Sequence, residues 1–506
     1  MNRWRRFILG ATAGYVTTAA NLLYTAVSVP LALHFLPKAE FALWAIVVQV
    51  CGYLMLLDLG ISSSVSRFLA DYKDSMNAGE YGNLIKTGRL VLGIQAAGVF
   101  FLTLACAWFL PSFLEIPGPL QDKFHLLLVV NGSIQAVGLA LRAETAPLWA
   151  HQRIDITHWV ISASLFVSFA SMALGFWAGW GIYSYLFGSA LGGVVSWSLG
   201  LVACHCLHLY PEQRGSGSFQ KSLFLRMLGF GSDVLLMQLG ALLCSGSQIL
   251  LVTKLLGLEA AAVFSVATKT LTMMQQLLGR ILESAAPGLT EIFVRGDRAR
   301  FIKRFYQMVL AISVLTLVAT TAMILANRLF VDVWTRGKIV WNSGGDICLG
   351  ILLLLSMLTR ALQGSFGMSG DYSKIRFLPL TEGVLFIILA LAAGGRFGLT
   401  GILASAFVSQ LLISLFPTIL KVRQEFPSRE FWSRFACFTT AAAGWCLVTS
   451  IFSIQIDPQT CSRVSLVFIF GWIILSFFVA GPLVLSPEDR RYFKRTIISL
   501  LWPQAR

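Results

Sequence analysis

The chain is 506 residues long, 56% hydrophobic and only 12% charged, with 39 Lys and Arg against 24 Asp and Glu and a formal charge of +15. A soluble protein carries roughly twice that charged fraction, and so much apolar sequence cannot hide in one aqueous core. The positive charge sits in short clusters between apolar blocks, which is the pattern of membrane loops and excludes a single polyanion-binding face for nucleic acid.

In chain order, the apolar blocks fall near residues 9–35, 41–65, 86–110, 124–148, 157–179, 182–207, 228–253, 260–284, 305–330, 347–369, 376–395, 398–420, 432–453 and 463–485. Each is about long enough to cross the hydrocarbon core. They predict an all-α, polytopic membrane protein of about fourteen helices. The first block follows Asn2–Arg6 and superficially resembles a signal peptide, but it continues past Leu31, too long for a signal's apolar core, and reads as a retained span. The Gly, Pro, Ser and Thr scattered through the blocks are tolerated in packed membrane helices. Nine cysteines lie mostly inside these blocks. Cys204 and Cys206 form the one close pair and lack zinc-ligand spacing.

One set of alternate loops collects Arg3–Arg6, Lys73–Arg89, Arg295–Arg304, Lys421–Arg434 and Arg490–Arg495. The other set holds scattered cations such as Lys38, Lys123, Lys254 and Lys338. The bias predicts that both termini are cytoplasmic and the number of spans even. The sequence also repeats. Leu36–Trp44 aligns with Leu256–Phe264, the same register pairs Asp71 with Glu291 and Tyr81 with Phe301, and a register two residues shorter pairs Arg142 with Arg360. The expected organisation is an N-terminal six-helix lobe (1–208), a second six-helix lobe (223–422), two further helices (431–486) and a basic cytoplasmic tail (487–506). Because each half has an even number of spans, the repeat is parallel, about an axis along the membrane normal.

The stretch from Glu40-Phe41-Ala42-Leu43-Trp44 through Leu56-Leu57-Asp58-Leu59-Gly60 to Ser66-Arg67 resembles the second helix of the polysaccharide-transport branch of the multidrug/oligosaccharidyl-lipid/polysaccharide exporter superfamily, which includes the Wzx-type O-antigen flippases. The resemblance implies a V-shaped, two-lobed transporter of the bacterial inner membrane. It would move an undecaprenyl-pyrophosphate-linked glycan from the cytoplasmic to the periplasmic leaflet by alternating access, in lipopolysaccharide or exopolysaccharide biosynthesis. Its partners would be that lipid-linked glycan, membrane lipids and other polysaccharide-assembly membrane proteins. The competing reading within the superfamily is a cation-coupled multidrug antiporter.

Charges inside a bilayer are expensive and are functional candidates by default. Arg142 and Arg360 stand at equivalent places in the repeat. Either they face a shared cavity and clamp a pyrophosphate through forked hydrogen bonds, or each pairs locally, Arg142 with Glu144 or Asp155. Lys269 is too deep to snorkel and needs a water-filled cavity or a carboxylate. Arg280 and Glu283 share one helix face, as a local ion pair or as a gate. Asp58 is read either as a gating or cation-coupling carboxylate or as a cap where the helix loosens at Leu59-Gly60. Asp233 is expected in the first turn of its helix, where the dipole favours a carboxylate. Glu382, after Pro379, is a candidate partner for Arg360 or a proton or sodium site. The tryptophans near helix ends read as an interfacial belt.

Signals for catalysis are missing. No GxxxxGK[ST] loop or HExxH cluster occurs, and the six histidines are scattered. A membrane glycosyltransferase or polymerase would need catalytic carboxylates on a long outer loop, and the longest here, near 331–346, offers only Asp332 and Asp346. The chain is therefore expected not to be an enzyme and to need no cofactor or metal, with a proton or sodium ion left open as the coupling ion.

Overall fold

The computed structural model describes residues 3–73, 79–211, 217–369, 372–455 and 469–478. The tail at 487–506 and most of the last predicted span lie outside the described residues. Those described form helices and no strand: α1 (Arg3–Phe35), α2 (Lys38–Leu54), α3 (Ile61–Tyr72), α4 (Glu80–Phe113), α5 (Gly118–Ala150), α6 (Ile154–Trp177), α7 (Ser184–Cys206), α8 (Lys221–Ser245), α9 (Ser247–Leu256), α10 (Leu258–Ala267), α11 (Lys269–Val294), α12 (Arg298–Thr335), α13 (Ser343–Ser369), α14 (Leu378–Ser409), α15 (Phe416–Glu425) and α16 (Arg429–Gln455). Eleven helical stretches among them are long and apolar enough to cross a membrane.

The predicted elements differ in three places. The block at 41–65 is interrupted, because Leu59 and Gly60 both take left-handed backbone angles and end a short 3₁₀ turn, Met55–Asp58, before α3 begins. The block at 260–284 is two helices separated at Thr268, and α11 continues to Val294 as an amphipathic rather than uniformly apolar helix. The blocks at 376–395 and 398–420 share one 48-residue helical stretch, bent at Gly398 (φ 60°, ψ −143°). Asp233 also moves. Its helix starts at Lys221, so Asp233 is well inside α8 and not in a first turn; its side chain lies outside the described residues.

The chain divides into two compact units, residues 1–266 with 379–398, and residues 267–378 with 399–506. This partition is drawn by contact. The two lobes read from the sequence repeat are a different partition and remain a proposal.

In the first unit, α6 and α7 meet through small residues. A methyl on Gly188 would fall 2.7 Å from the Ser168 carbonyl, and one on Gly192 would fall 2.8 Å from Ser168 Cβ. Four-residue spacing puts both glycines on one face of α7, where they let the backbones approach. Gly240 and Gly383 do the same where α8 meets the start of α14. Near the C-terminal ends of both helices, Tyr53 Oη donates to the Leu242 carbonyl at 2.9 Å, fixing α2 beside α8.

In the second unit, α12 and α13 are largely enclosed. Apolar burial there coexists with hydroxyls because Ser313, Thr316 and Thr321 each donate to the carbonyl one turn back, at 2.7, 2.7 and 2.9 Å. One end of α12 is packed with aromatic rings, Phe301, Phe305 and Tyr306 against Phe426 and Phe431. At the other end Asp346, only 2% exposed, accepts from Asn327 Nδ2 (2.6 Å), Trp341 Nε1 (2.8 Å) and the Arg328 amide (3.2 Å). The outer-loop carboxylate of the sequence reading is thus buried in the first turn of α13.

Candidate functional site

Candidate charges come together at one place in each unit, Asp58 with Arg142 in the first and Glu283 with Arg280 and Arg360 in the second. In the first, the chain break after Asp58 shapes the site. One Asp58 oxygen accepts from the Ser62 amide at 2.9 Å, satisfying an amide that the start of α3 would otherwise leave unpaired. The other accepts from Arg142 Nη1 at 2.9 Å. Asp58 is largely buried, with its side chain 13% exposed, while that of Arg142 is 43% exposed. The guanidinium spends one donor on Asp58 and keeps others available.

Neither sequence-proposed partner of Arg142 is its partner. Glu144 is two residues on, and residues i and i+2 of a helix point to different faces. It instead accepts from Arg89 Nε on α4 at 2.5 Å, and its backbone carbonyl accepts from Tyr210 Oη at 2.8 Å. Asp155 is held by Arg153 at 3.3 Å.

The cluster in the second unit joins α11 to α13. Glu283 Oε1 lies 2.9 Å from Arg360 Nη2 and Glu283 Oε2 lies 2.9 Å from Arg280 Nη1. Arg280 and Glu283 are the expected i, i+3 pair, and Arg360 shares the same carboxylate. Arg360 and Glu283 are both about half exposed, at 48% and 49%. Glu382, the partner that the sequence offered for Arg360, lies in the first unit beside Cys244. Two guanidiniums on one carboxylate leave a net positive charge and unused donors.

Gly279 makes room for this arrangement. A methyl there would come within 2.6 Å of Arg360 Nη1. One turn along, Gln275 Nε2 donates to Ser356 Oγ at 2.9 Å, so Gln275, Gly279 and Glu283 follow each other at four-residue steps opposite Ser356 and Arg360, with the glycine as the space between two polar contacts.

Lys269 opens α11, half-buried, and no carboxylate among the described residues pairs with it. It stands eleven residues before Arg280, three turns and roughly 16 Å along the same helix face. The sequence leaves a shared cavity or a local pair open for Arg142 and Arg360. The structure gives each a carboxylate, and among the described residues Lys269 has none.

Arg89, Gly279, Gln275 and Ser356 escaped the sequence reading. Arg89 looks like part of a loop cluster until α4 is seen to begin at Glu80. The four-residue polar stripe on α11 is a signal that could have found Gln275 and Gly279. Among the described residues no group of three His, Cys, Asp or Glu side chains could hold a metal.

Comparison with known proteins completes the description. The family of polysaccharide biosynthesis proteins matches residues 12–293. No curated protein matches by sequence. The lipid II flippase MurJ in an inward closed conformation superposes with a TM-score of 0.66 at 11% identity, over 97% of this chain and 100% of that one. An inward-facing multidrug resistance MATE family transporter of the MOP superfamily gives 0.65 at 13% identity, over 83% and 98%. A MOP superfamily transporter from Pyrococcus furiosus, described as having a binding pocket of reverse polarity, gives 0.58 at 13% identity, over 83% and 95%. At such identities the likeness is one of fold.

Proposed function

The chain belongs to the family of polysaccharide biosynthesis proteins, and from that premise we propose that it is a flippase for glycan precursors built on a polyprenyl pyrophosphate, working by alternating access. The observation that carries the reading is the pair of arginine clusters, Arg142 on Asp58 and Arg360 with Arg280 on Glu283. An arginine in a membrane needs a counter-charge while the protein is empty. Glu283 supplies it from the position that two phosphate oxygens would take between the guanidiniums. A pyrophosphate carries more charge than a carboxylate and presents forked acceptors, so within either unit it can displace the carboxylate, Glu283 or Asp58, without leaving the cations bare. Lys269, on the same face of α11 as Arg280, adds a further positive charge along the path. Outward movement of the anion is favoured by about 2.3 kcal/mol per charge per 100 mV when the interior is negative, so the reading does not require an ion gradient. The working side is the bacterial inner membrane, with both termini cytoplasmic.

A cation-drug antiporter of the same fold asks for carboxylates open to a cationic ligand. Asp58, Glu144 and Glu283 each already engage an arginine, which speaks against it. The test replaces Arg142 and Arg360 separately with alanine in a host lacking the native gene. Surface glycan is expected to fall several-fold while protein level holds. Normal glycan display in both variants, or a change confined to drug susceptibility, overturns the reading.

A further inference from the structure

Away from these clusters, the second unit contains a cavity of about 360 Å³ where the first turns of α12 meet the start of α16. Its chemistry is divided. The rim carries Lys303, Gln307, Ser428 and Arg434, while Tyr306, Phe431 and Leu310 form an apolar floor. Tyr306 and Phe431 are stacked with ring centroids 3.7 Å apart, so the floor is rigid.

Positive potential concentrates here from two sources. Residues 295–304 contain Arg295, Arg298, Arg300, Lys303 and Arg304 against Asp297 alone. Lys303 makes no ion pair among the described residues. The N-terminus of α16, where Ser428 Oγ accepts from the Phe431 amide at 3.4 Å, adds the positive end of a helix dipole. The opposing charge at the rim is Glu430, which holds Arg434 at 2.7 Å and is mostly exposed.

The level of the cavity follows from its neighbours. Tyr306 and Trp432, within 6.1 Å of each other, are of the amphipathic type that settles at the headgroup boundary. Lys303, Tyr306 and Leu310 follow one another on one stripe of α12, about 10 Å long, running from charged to apolar. A soluble anion has no use for the apolar half. A phospholipid uses both.

We propose that this cavity binds the phosphodiester headgroup of an anionic bilayer phospholipid, with an acyl chain leaving along the apolar stripe of α12. Lys303 and Arg434 hold the phosphate, and Glu430 gives up Arg434 to it. The site is separate from the arginine clusters and serves the bilayer's own lipid, so it stands whatever the transported molecule is.

The test is native mass spectrometry of the full-length protein released from detergent, titrated with phosphatidylglycerol or phosphatidylcholine. Phosphatidylglycerol should bind the parent more tightly than phosphatidylcholine. The double variant Lys303→Gln, Arg434→Gln should weaken phosphatidylglycerol roughly tenfold, whereas Arg300→Gln, which removes a nearby charge outside the cavity, should leave it within about twofold. Glu430→Gln should tighten binding, a change that an unfolded variant cannot mimic. Equal affinity for the two lipids, an unaffected double variant, or displacement of the lipid by millimolar inorganic phosphate would each overturn the proposal, the last by making the cavity a soluble-anion site.

Discussion

A guanidinium inside a membrane protein costs several kcal/mol unless something holds it, and at Arg360 two neighbours do so. Glu283 supplies the charge and Gly279 supplies the space. A methyl at Gly279 would push the end of a flexible side chain, not the backbone, so Gly279→Ala should move Arg360 off Glu283 with little damage to packing. An arginine moved out of this position loses its charge-assisted hydrogen bond to the phosphate, worth about 1.5–3 kcal/mol, roughly tenfold or more in substrate affinity. Surface glycan should therefore drop while the apparent melting temperature stays within about 2 °C. Melting and glycan falling together would make Gly279 merely structural. Asp346 should behave in the opposite way. Alanine there leaves the Asn327 and Trp341 side chains and the Arg328 amide without their acceptor, a cost of about 2–5 kcal/mol. Asparagine keeps one acceptor oxygen and should lose less than half as much. A folded Asp346→Asn protein that melts normally and has lost glycan export would instead place this carboxylate in the transport cycle.

At the level of elements, the bilayer explains which parts of the fold could be read from sequence. A spanning helix must be apolar over a fixed length because unpaired backbone groups cannot be left in lipid, so the cores of the spans announce themselves. The interruptions do not. Leu59-Gly60 and Gly398 break helices through single backbone angles, and α11 is hard to recognise because its polar stripe lowers its hydropathy. The candidate charges stand out in the sequence as residue types, since buried charge is rare, but apart from Arg280 with Glu283 they do not show their pairs. Arg360 and Glu283 are 77 positions apart, and Arg142 and Asp58 are 84 apart. The same gap in sequence hides a contact outside the spans. Glu115, held at positive φ after α4, accepts from Lys254 at the end of α9 at 2.6 Å. That hydrogen bond and the lysine's charge hold the Glu115 carboxyl below its ordinary pKa. A lowered folded pKa means the contact stabilises above the unfolded value and is lost as pH falls through the folded one. The melting difference between the parent and Glu115→Gln should thus be flat from about pH 6 to 8 and shrink below about pH 4.5. A difference that grows on acidification would contradict the pairing.

For the whole molecule, the asymmetry of Lys and Arg between alternate loops predicts which way the protein sits, and α12 offers the cleanest test of it. Its 38 residues extend about 57 Å, well beyond the roughly 30 Å hydrocarbon core. Arg300 lies in its first turn, among five basic residues, and Lys338 lies just past its end at Thr335. Each is replaced by cysteine in a background from which the native cysteines have been removed, and intact cells are treated with a membrane-impermeant maleimide. Lys338→Cys should label at once and Arg300→Cys only after the membrane is opened. The reverse pattern would turn the protein over and, with it, the direction proposed for the glycan. Labelling of both positions from one side would be more damaging, since it would mean that α12 does not span. The apolar end of the α12 stripe would then meet no acyl chains, and the arginine clusters would have no bilayer from which to carry a lipid-linked anion.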